Sequence, residues 1–157
     1  MTAHDIVREV RIGAPPHEVF PFFTDPNKMI VWKAIEATLD PRPGGIFRIN
    51  VTGRDIARGQ YVEIDPPRRV VFTFGWESEN SLVPPGSTTV EITLVPDGDG
   101  TLVRLVHSSV PDEIRAGSRE GWDHYLARLV VAAEGGNPGP DPWVGAANAS
   151  TNEERSD

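Results

Sequence analysis

The segment from Ser118 to Glu134 carries the clearest periodic pattern of apolar residues in the chain. Its apolar side chains recur at spacings of four, three, one and three, which places them on one face of an α-helix: Trp122, Leu126, Leu129, Val130 and Ala133. The pattern predicts a long helix that begins between Pro111 and Ser118. Such a helix must bury its apolar face against another element.

Most of the preceding chain alternates between apolar and polar residues, which is typical of half-buried β-strands. Turns rich in Gly, Pro and Asp separate these segments. The predicted strands cover residues 5–12, 35–39, 46–51, 57–64, 69–76, 88–95 and 101–107. Two short helices are predicted between the first two strands, over residues 17–23 and 28–32. The order predicts an α+β fold in which the long helix lies across an antiparallel sheet of about seven strands.

The character of the chain changes after residue 134. Three prolines and four glycines fall between Gly135 and Gly145, and the remainder to Asp157 is small, polar and acidic. We therefore predict one folded domain over residues 1–134, followed by a disordered acidic tail over residues 135–157. Alternatively, Trp143 folds back onto the domain or onto a second copy of the chain, which leaves a homodimer open.

Composition narrows the classes of function. The 157 residues include no cysteine, so disulfides and thiolate chemistry are excluded. The net charge of −8 opposes binding to nucleic acid. No stretch approaches the length of apolar sequence that a membrane span needs, and the N-terminus lacks an apolar leader. We expect a protein of the cytoplasm that has no nucleic acid partner and no membrane span.

Candidate catalytic groups are few. The four histidines show no metal-ligand spacing, and the chain has neither a phosphate-binding loop nor a Gly-x-Ser-x-Gly elbow. We therefore expect no metal and no other cofactor. His107 ends a strand on the same side as Val103 and Leu105, where its imidazole would face the interior and could meet a ligand. His124 lies off the apolar stripe, and we expect it to be solvated.

Several motifs together resemble a known family. They are residues 14–20 (APPHEVF), 22–26 (FFTDP), Trp32, Asp40 with 44–47 (GGIF), 59–76, 101–107 and Gly121 with Trp122. With the predicted order of elements, these motifs resemble the START-like superfamily, also called the helix-grip, Bet v-like or SRPBCC fold. Within it, the chain looks like the branch related to the activator of the 90-kDa heat-shock chaperone ATPase.

The resemblance implies a curved sheet that grips the long helix, with an apolar ligand cavity between them. The cavity-facing positions that it implies are Phe20, Phe23, Trp32, Phe47, Tyr61, Phe72, Phe74, Trp76, His107, Trp122, Tyr125 and Leu129. Periodicity along the chain selects most of the same residues. Periodicity alone leaves open whether these side chains line a space or fill it.

Three functions follow from this fold. The first is a binder of a hydrophobic, aromatic or lipid-like small molecule. The second is an enzyme of the cyclase or hydratase type, which would use His107 or Tyr61 in the same cavity. The third is an interaction module like the chaperone activators. We rank them in that order, since no paired acid and base stands out and the companion N-terminal domain of the activators is missing.

Overall fold

The structure, a computed structural model, describes residues 5–144. Its architecture is α+β, as predicted, with a curved antiparallel sheet and a long C-terminal helix. The strands are β1 (Ile6–Ile12), β2 (Glu36–Leu39), β3 (Ile46–Asn50), β4 (Ile56–Asp65), β5 (Arg69–Phe74), β6 (Thr88–Asp97) and β7 (Gly100–Ser108). The helices are α1 (Pro16–Val19), α2 (Pro26–Trp32) and α3 (Asp112–Ala133), and a 3-10 turn covers Phe20–Phe23. No helix in this range is long and apolar enough to cross a membrane.

The seven strands form one antiparallel sheet in the order β1-β7-β6-β5-β4-β3-β2. The first strand pairs with the last, so that Ile6 lies opposite His107 and Ile12 opposite Thr101. In β6, alternate residues are buried, as the period of two predicts. The buried side of β6, for example, carries Val90, Ile92 and Leu94. These side chains and the helices enclose the core.

Helix α3 has 22 residues and begins at Asp112, directly after Pro111. The predicted stripe faces the sheet, with Leu126 and Leu129 almost fully buried. Tyr125 also belongs to the buried face, although it falls outside the predicted stripe. The helix thus closes one side of the core over its C-terminal half.

The core is rich in aromatic rings that pack directly on one another. Phe47 stacks on Phe72 with a centroid distance of 4.1 Å, and Tyr61 meets Phe47 edge to face at 5.6 Å. Near the short helices, Phe23 meets Trp32 edge to face at 5.8 Å. Offset and edge-to-face pairs of this kind add stability beyond the area that they bury. This part of the interior is filled.

Strand β5 is shorter than predicted, because it ends at Phe74 and not at Trp76. Trp76 instead forms a single bridge to Ala57. At Gly75 an added Cβ would lie 1.9 Å from the carbonyl oxygen of Pro84, so the returning loop approaches the backbone too closely for a side chain. This close approach starts the loop that connects β5 to β6.

The segment after α3 returns to the domain as far as it is described. Arg128 donates hydrogen bonds to the backbone carbonyls of Trp32 and Gly139, which ties residues 135–144 to α2. Trp143 stacks on His124 with a centroid distance of 3.9 Å. For this part of the tail, the fold-back of Trp143 is the alternative that the structure shows. Residues 145–157 of the predicted tail lie outside the described residues.

Candidate functional site

A pocket of about 620 Å³ opens between the N-terminal half of α3 and the sheet. This volume lies within the range that small-molecule sites occupy. The loop between β5 and β6 and the turn between β3 and β4 form its sides. Its lining residues are Lys33, Val51, Thr52, Asp55, Phe74, Trp76, Ser78, Ser81, Leu82, His107, Glu113, Ile114, Gly117, Ser118, Gly121, Trp122, Tyr125 and Trp143.

Two glycines keep the helical side of the pocket open. Gly117 and Gly121 lie one turn apart on α3, and both line the pocket. An added Cβ at either position would meet no atom within 4 Å, beyond the helix's own backbone and the adjacent residues. Packing therefore does not require glycine at these positions. Gly121 is half-buried and Gly117 is exposed, so both lie on the open side of the pocket.

The opposite wall is aromatic. Phe74 lies at the centre of this wall and meets Trp76 edge to face at 5.2 Å. Its ring is also 6.2 Å from that of Trp122 on the helix. Phe74 and Trp122 are buried, whereas Trp76 is partly exposed. Flat rings at these separations offer faces and edges to an apolar ligand.

His107 is held in one tautomer by a chain of hydrogen bonds. The Trp122 indole N–H donates to its Nδ1 at 3.0 Å, and an indole is only a donor, so Nδ1 carries no proton. Nε2 must then carry the proton and donate it to Thr88 Oγ1, 2.8 Å away. Thr88 in turn donates to the Phe74 carbonyl oxygen at 2.6 Å. Burial, with a smaller effect of the Lys33 charge, lowers the pKa of His107 to about 4.

Lys33 is a buried lysine on the lining of the pocket. Asp25 caps the start of α2 by accepting a hydrogen bond from the Asn27 N–H, and Lys33 follows directly after the helix ends. Its Nζ lies 4.6 Å from the centroid of the Trp122 ring and 4.3 Å from that of Tyr125. Burial lowers the pKa of Lys33 to about 7, although the charge of Asp141 acts in the opposite direction.

Asp141 anchors the C-terminal segment beside the pocket. Its carboxylate accepts hydrogen bonds from the Tyr125 hydroxyl at 2.7 Å, from His124 Nε2 at 2.8 Å and from the Trp143 N–H at 2.9 Å. Burial acts to raise the pKa of Asp141, but these three donors lower it on balance. Burial, together with the hydrogen bond to Asp141, raises the pKa of Tyr125.

The prediction that His124 is solvated is wrong. Its ring is held between Asp141 and the stacked ring of Trp143, and its side chain keeps only 19% of its exposure. The returning C-terminal segment covers this side of α3, a contact that the periodicity of α3 does not reveal. The same segment places Trp143 on the lining of the pocket.

Five of the twelve predicted site residues line the pocket. They are Phe74, Trp76, His107, Trp122 and Tyr125. The other seven do not line it and are buried elsewhere in the core: Phe20, Phe23, Trp32, Phe47, Tyr61, Phe72 and Leu129. Tyr61, for example, donates its hydroxyl to the Phe23 carbonyl oxygen at 2.8 Å. For the five lining residues, a ligand contact remains a prediction.

Several lining residues were missed by the sequence analysis, among them Lys33, Gly117, Gly121 and Trp143. Gly117 and Gly121 could have been recognised as candidates, since two glycines one turn apart are unfavourable in the first half of a long helix. Lys33 has no comparable signal, because a single lysine after a short helix is usually solvated. Within residues 5–144, no group of three or more His, Asp or Glu side chains could hold a metal ion.

Comparisons with known proteins place the chain in a family. A structure of an AHSA1-like protein from Rhizobium etli is 46% identical, with a TM-score of 0.71, over 88% of this chain and 87% of that one. The solution structure of CalU16 from Micromonospora echinospora is 31% identical, with a TM-score of 0.71, over 89% and 70% of the two chains. The solution structure of the Aha1 dimer from Colwellia psychrerythraea shares the fold, with a TM-score of 0.73. It is 20% identical over 87% of this chain and 98% of that one. A search of the curated proteins found no match. The model of the family described as Activator of Hsp90 ATPase homolog 1-like protein matches residues 13–134, and the chain therefore belongs to this family.

Proposed function

We propose that this protein binds a hydrophobic small molecule with at least one aromatic ring in the pocket between α3 and the sheet. One observation carries the proposal: α3 presents Gly117 and Gly121 to an aromatic wall, with open space where side chains would stand. An ordinary core would fill this space with large aliphatic residues. A ring lying against Phe74 and Trp122 would fill it instead.

The energetic cost of the glycines supports this interpretation. A glycine inside a helix is less favourable than alanine by roughly 1 kcal/mol. No neighbouring atom prevents a Cβ at either position, so alanine would fit. A protein that needed only stability would gain from alanine at both sites. Space for a ligand is a reason to keep glycine there.

The enzyme alternative gains no support from the two polar groups that the sequence offered for it. Both ring nitrogens of His107 are engaged within the protein, by Trp122 and by Thr88. Its lowered pKa also keeps the imidazole neutral at pH 7. The Tyr61 hydroxyl is bonded in the core, away from the pocket. Binding without chemistry is therefore the function that the site supports best.

The four tryptophans provide a direct test. Trp76, Trp122 and Trp143 line the pocket, whereas Trp32 lies in the core and donates its indole N–H to the Phe22 carbonyl oxygen. We expect titration with N-phenyl-1-naphthylamine, a neutral aromatic probe, to shift the indole N–H signals of the three pocket tryptophans in a two-dimensional NMR spectrum. The Trp32 signal should stay in place and serves as the internal control. A saturating titration that shifts no indole signal, or that shifts Trp32 most, would contradict the proposal.

Association with another protein is a second candidate function. Three apolar side chains near the end of α2 remain exposed: Ile30 at 44%, Val31 at 41% and Ile35 at 46%. Such a patch is suited to contact with a second copy of the chain, and a homodimer is the form of this candidate that we propose to test. Sedimentation velocity over a hundredfold concentration range would reveal a dimer, and a monomer throughout would remove this candidate.

The cytoplasm stays our proposed location.

A further inference from the structure

Among residues 5–144, no carboxylate lies within ion-pair distance of Lys33 Nζ. The residue is only 7% exposed, and within residues 5–144 its Nζ forms no hydrogen bond. Asp141 is the acid that attracts it electrostatically, but the two form no ion pair. The Asp141 carboxylate is instead engaged by Tyr125, His124 and the Trp143 backbone. Lys33 therefore lines the pocket without an ion-pair partner in the described part of the chain.

The surroundings of Lys33 favour a cation only in part. The ring faces of Trp122 and Tyr125 attract the ammonium group, but they accept no conventional hydrogen bond. A buried ammonium group with unused donors is unfavourable, and it either loses its proton or acquires an acceptor. Burial lowers the pKa of Lys33 to about 7, so that both the charged and the neutral form occur near pH 7. An anionic group on a ligand would shift this balance towards the charged form.

We propose that Lys33 recognises an anionic group, a carboxylate or a sulfonate, on the aromatic ligand of this pocket. The inference rests on the proposed function, because it requires that the pocket hold a ligand. The anionic group would lie at Lys33, at the inner edge of the pocket, and the rings would lie against Trp122 and Phe74. The ligand class is thus an aromatic acid rather than a neutral hydrocarbon or a lipid tail. Charge-assisted hydrogen bonds from Nζ would fix its orientation.

A matched pair of probes isolates the anionic group. The probe 1-anilinonaphthalene-8-sulfonate has the same rings as N-phenyl-1-naphthylamine and adds only the sulfonate. Binding of each is measured by isothermal titration calorimetry, where one site per chain distinguishes the pocket from non-specific adsorption. We expect the sulfonate to bind the parent protein more tightly than the neutral probe.

The variant Lys33→Met removes the charge and keeps an unbranched side chain. We expect it to weaken binding of the sulfonate by about 10- to 100-fold, the range for a lost hydrogen bond to a charged group. Binding of the neutral probe should change less than threefold. Since methionine removes a buried charge, the variant should fold, which circular dichroism verifies.

The other lysine of the chain, Lys28, provides the control. Lys28 lies on α2 with its Nζ 5.0 Å from the centroid of the Phe22 ring, and it does not line the pocket. Below pH 7, where Lys33 is mostly charged, Lys28→Met changes the net charge by about the same amount as Lys33→Met, so long-range electrostatics are matched. We expect Lys28→Met to leave the affinity for both probes unchanged.

The possible results separate the two proposals. If neither probe binds the parent protein, the proposed function fails and the role of Lys33 fails with it. If the neutral probe binds but Lys33→Met leaves the affinity for the sulfonate unchanged, the pocket stands and the anion site is refuted. Equal weakening of both probes by Lys33→Met would make Lys33 a structural residue and also overturn the inference.

Discussion

Replacing Gly121 by alanine should strengthen the fold and weaken the binding of a ligand. Gly121 is half-buried in the interior of α3 and lines the pocket. An added Cβ would have no neighbour within 4 Å, apart from the adjacent residues and the helix's own backbone, so alanine introduces no clash. Alanine also restricts the unfolded chain and favours the helix. We expect the free energy of unfolding to rise by roughly 0.5–1 kcal/mol.

The effect on binding has the opposite sign because the methyl group occupies the space that the ligand needs. A change of one methylene in a close-fitting apolar site alters affinity by about 10- to 200-fold. This pocket is open on one side, which lets a ligand move outward, so we expect a loss near the lower end, about tenfold. The larger variant Gly121→Leu should fill more of the pocket and abolish binding of N-phenyl-1-naphthylamine.

Urea denaturation without probe measures the first effect, and calorimetric titration with the neutral probe measures the second. Ala127 provides the control, because it is exposed on the same helix and lies outside the pocket. Ala127→Gly should lower stability by about 1 kcal/mol and leave affinity unchanged. A Gly121→Ala protein that is less stable than its parent would show that the helix face is packed. Unchanged affinity would show that the probe lies elsewhere.

Two further predictions concern pH and the C-terminal segment. Because the folded protein lowers the pKa of His107 from 6.5 to about 4, the unfolded chain binds a proton first, and stability should fall as pH drops from 6.5 to 5. The slope is at most about 1.4 kcal/mol per pH unit, and His107→Gln should flatten it. Equal slopes for the parent and the variant in urea denaturation would argue against a buried neutral imidazole. A chain that ends at Val144 should melt like the full chain, whereas one that ends at Gly136 should melt lower and bind the neutral probe more weakly, because it lacks Asp141 and Trp143. Identical melting of all three chains would mean that these contacts contribute nothing to stability.

The fold follows from two periodicities that are visible in the sequence. The stripe around Leu126 and Leu129 predicted the buried face of α3, and alternation predicted all seven strands. Errors fall at the ends of elements, where the cause is tertiary. Strand β5 ends before Trp76 because the loop at Pro84 crosses close to Gly75, a contact between segments that local alternation does not encode.

The site was harder to predict, for a physical reason. Alternation tells which side chains point inward, but it does not tell where the helix diverges from the sheet and leaves a space. Phe72 and Phe74 share one face of β5, yet only Phe74 lines the pocket. The polar groups pose a second difficulty. Lys33 and Asp141 lie far apart in the sequence, yet the fold brings them close enough for the charge of Asp141 to act on Lys33. No periodic signal links residues so far apart.

The boundary between core and pocket lies where α3 changes composition. On its C-terminal side, Leu126 and Leu129 fill the interior, whereas Gly121 leaves it open. At the boundary, the hydrogen bonds from Trp122 through His107 to Thr88, which also bonds the Phe74 carbonyl oxygen, hold the rings of Trp122 and His107 in place. A wall that is already ordered costs a ligand little conformational entropy on binding. Residues on the open side of this boundary can vary without disturbing the core, so proteins of one fold can differ in their ligands while they keep the same sheet and helix.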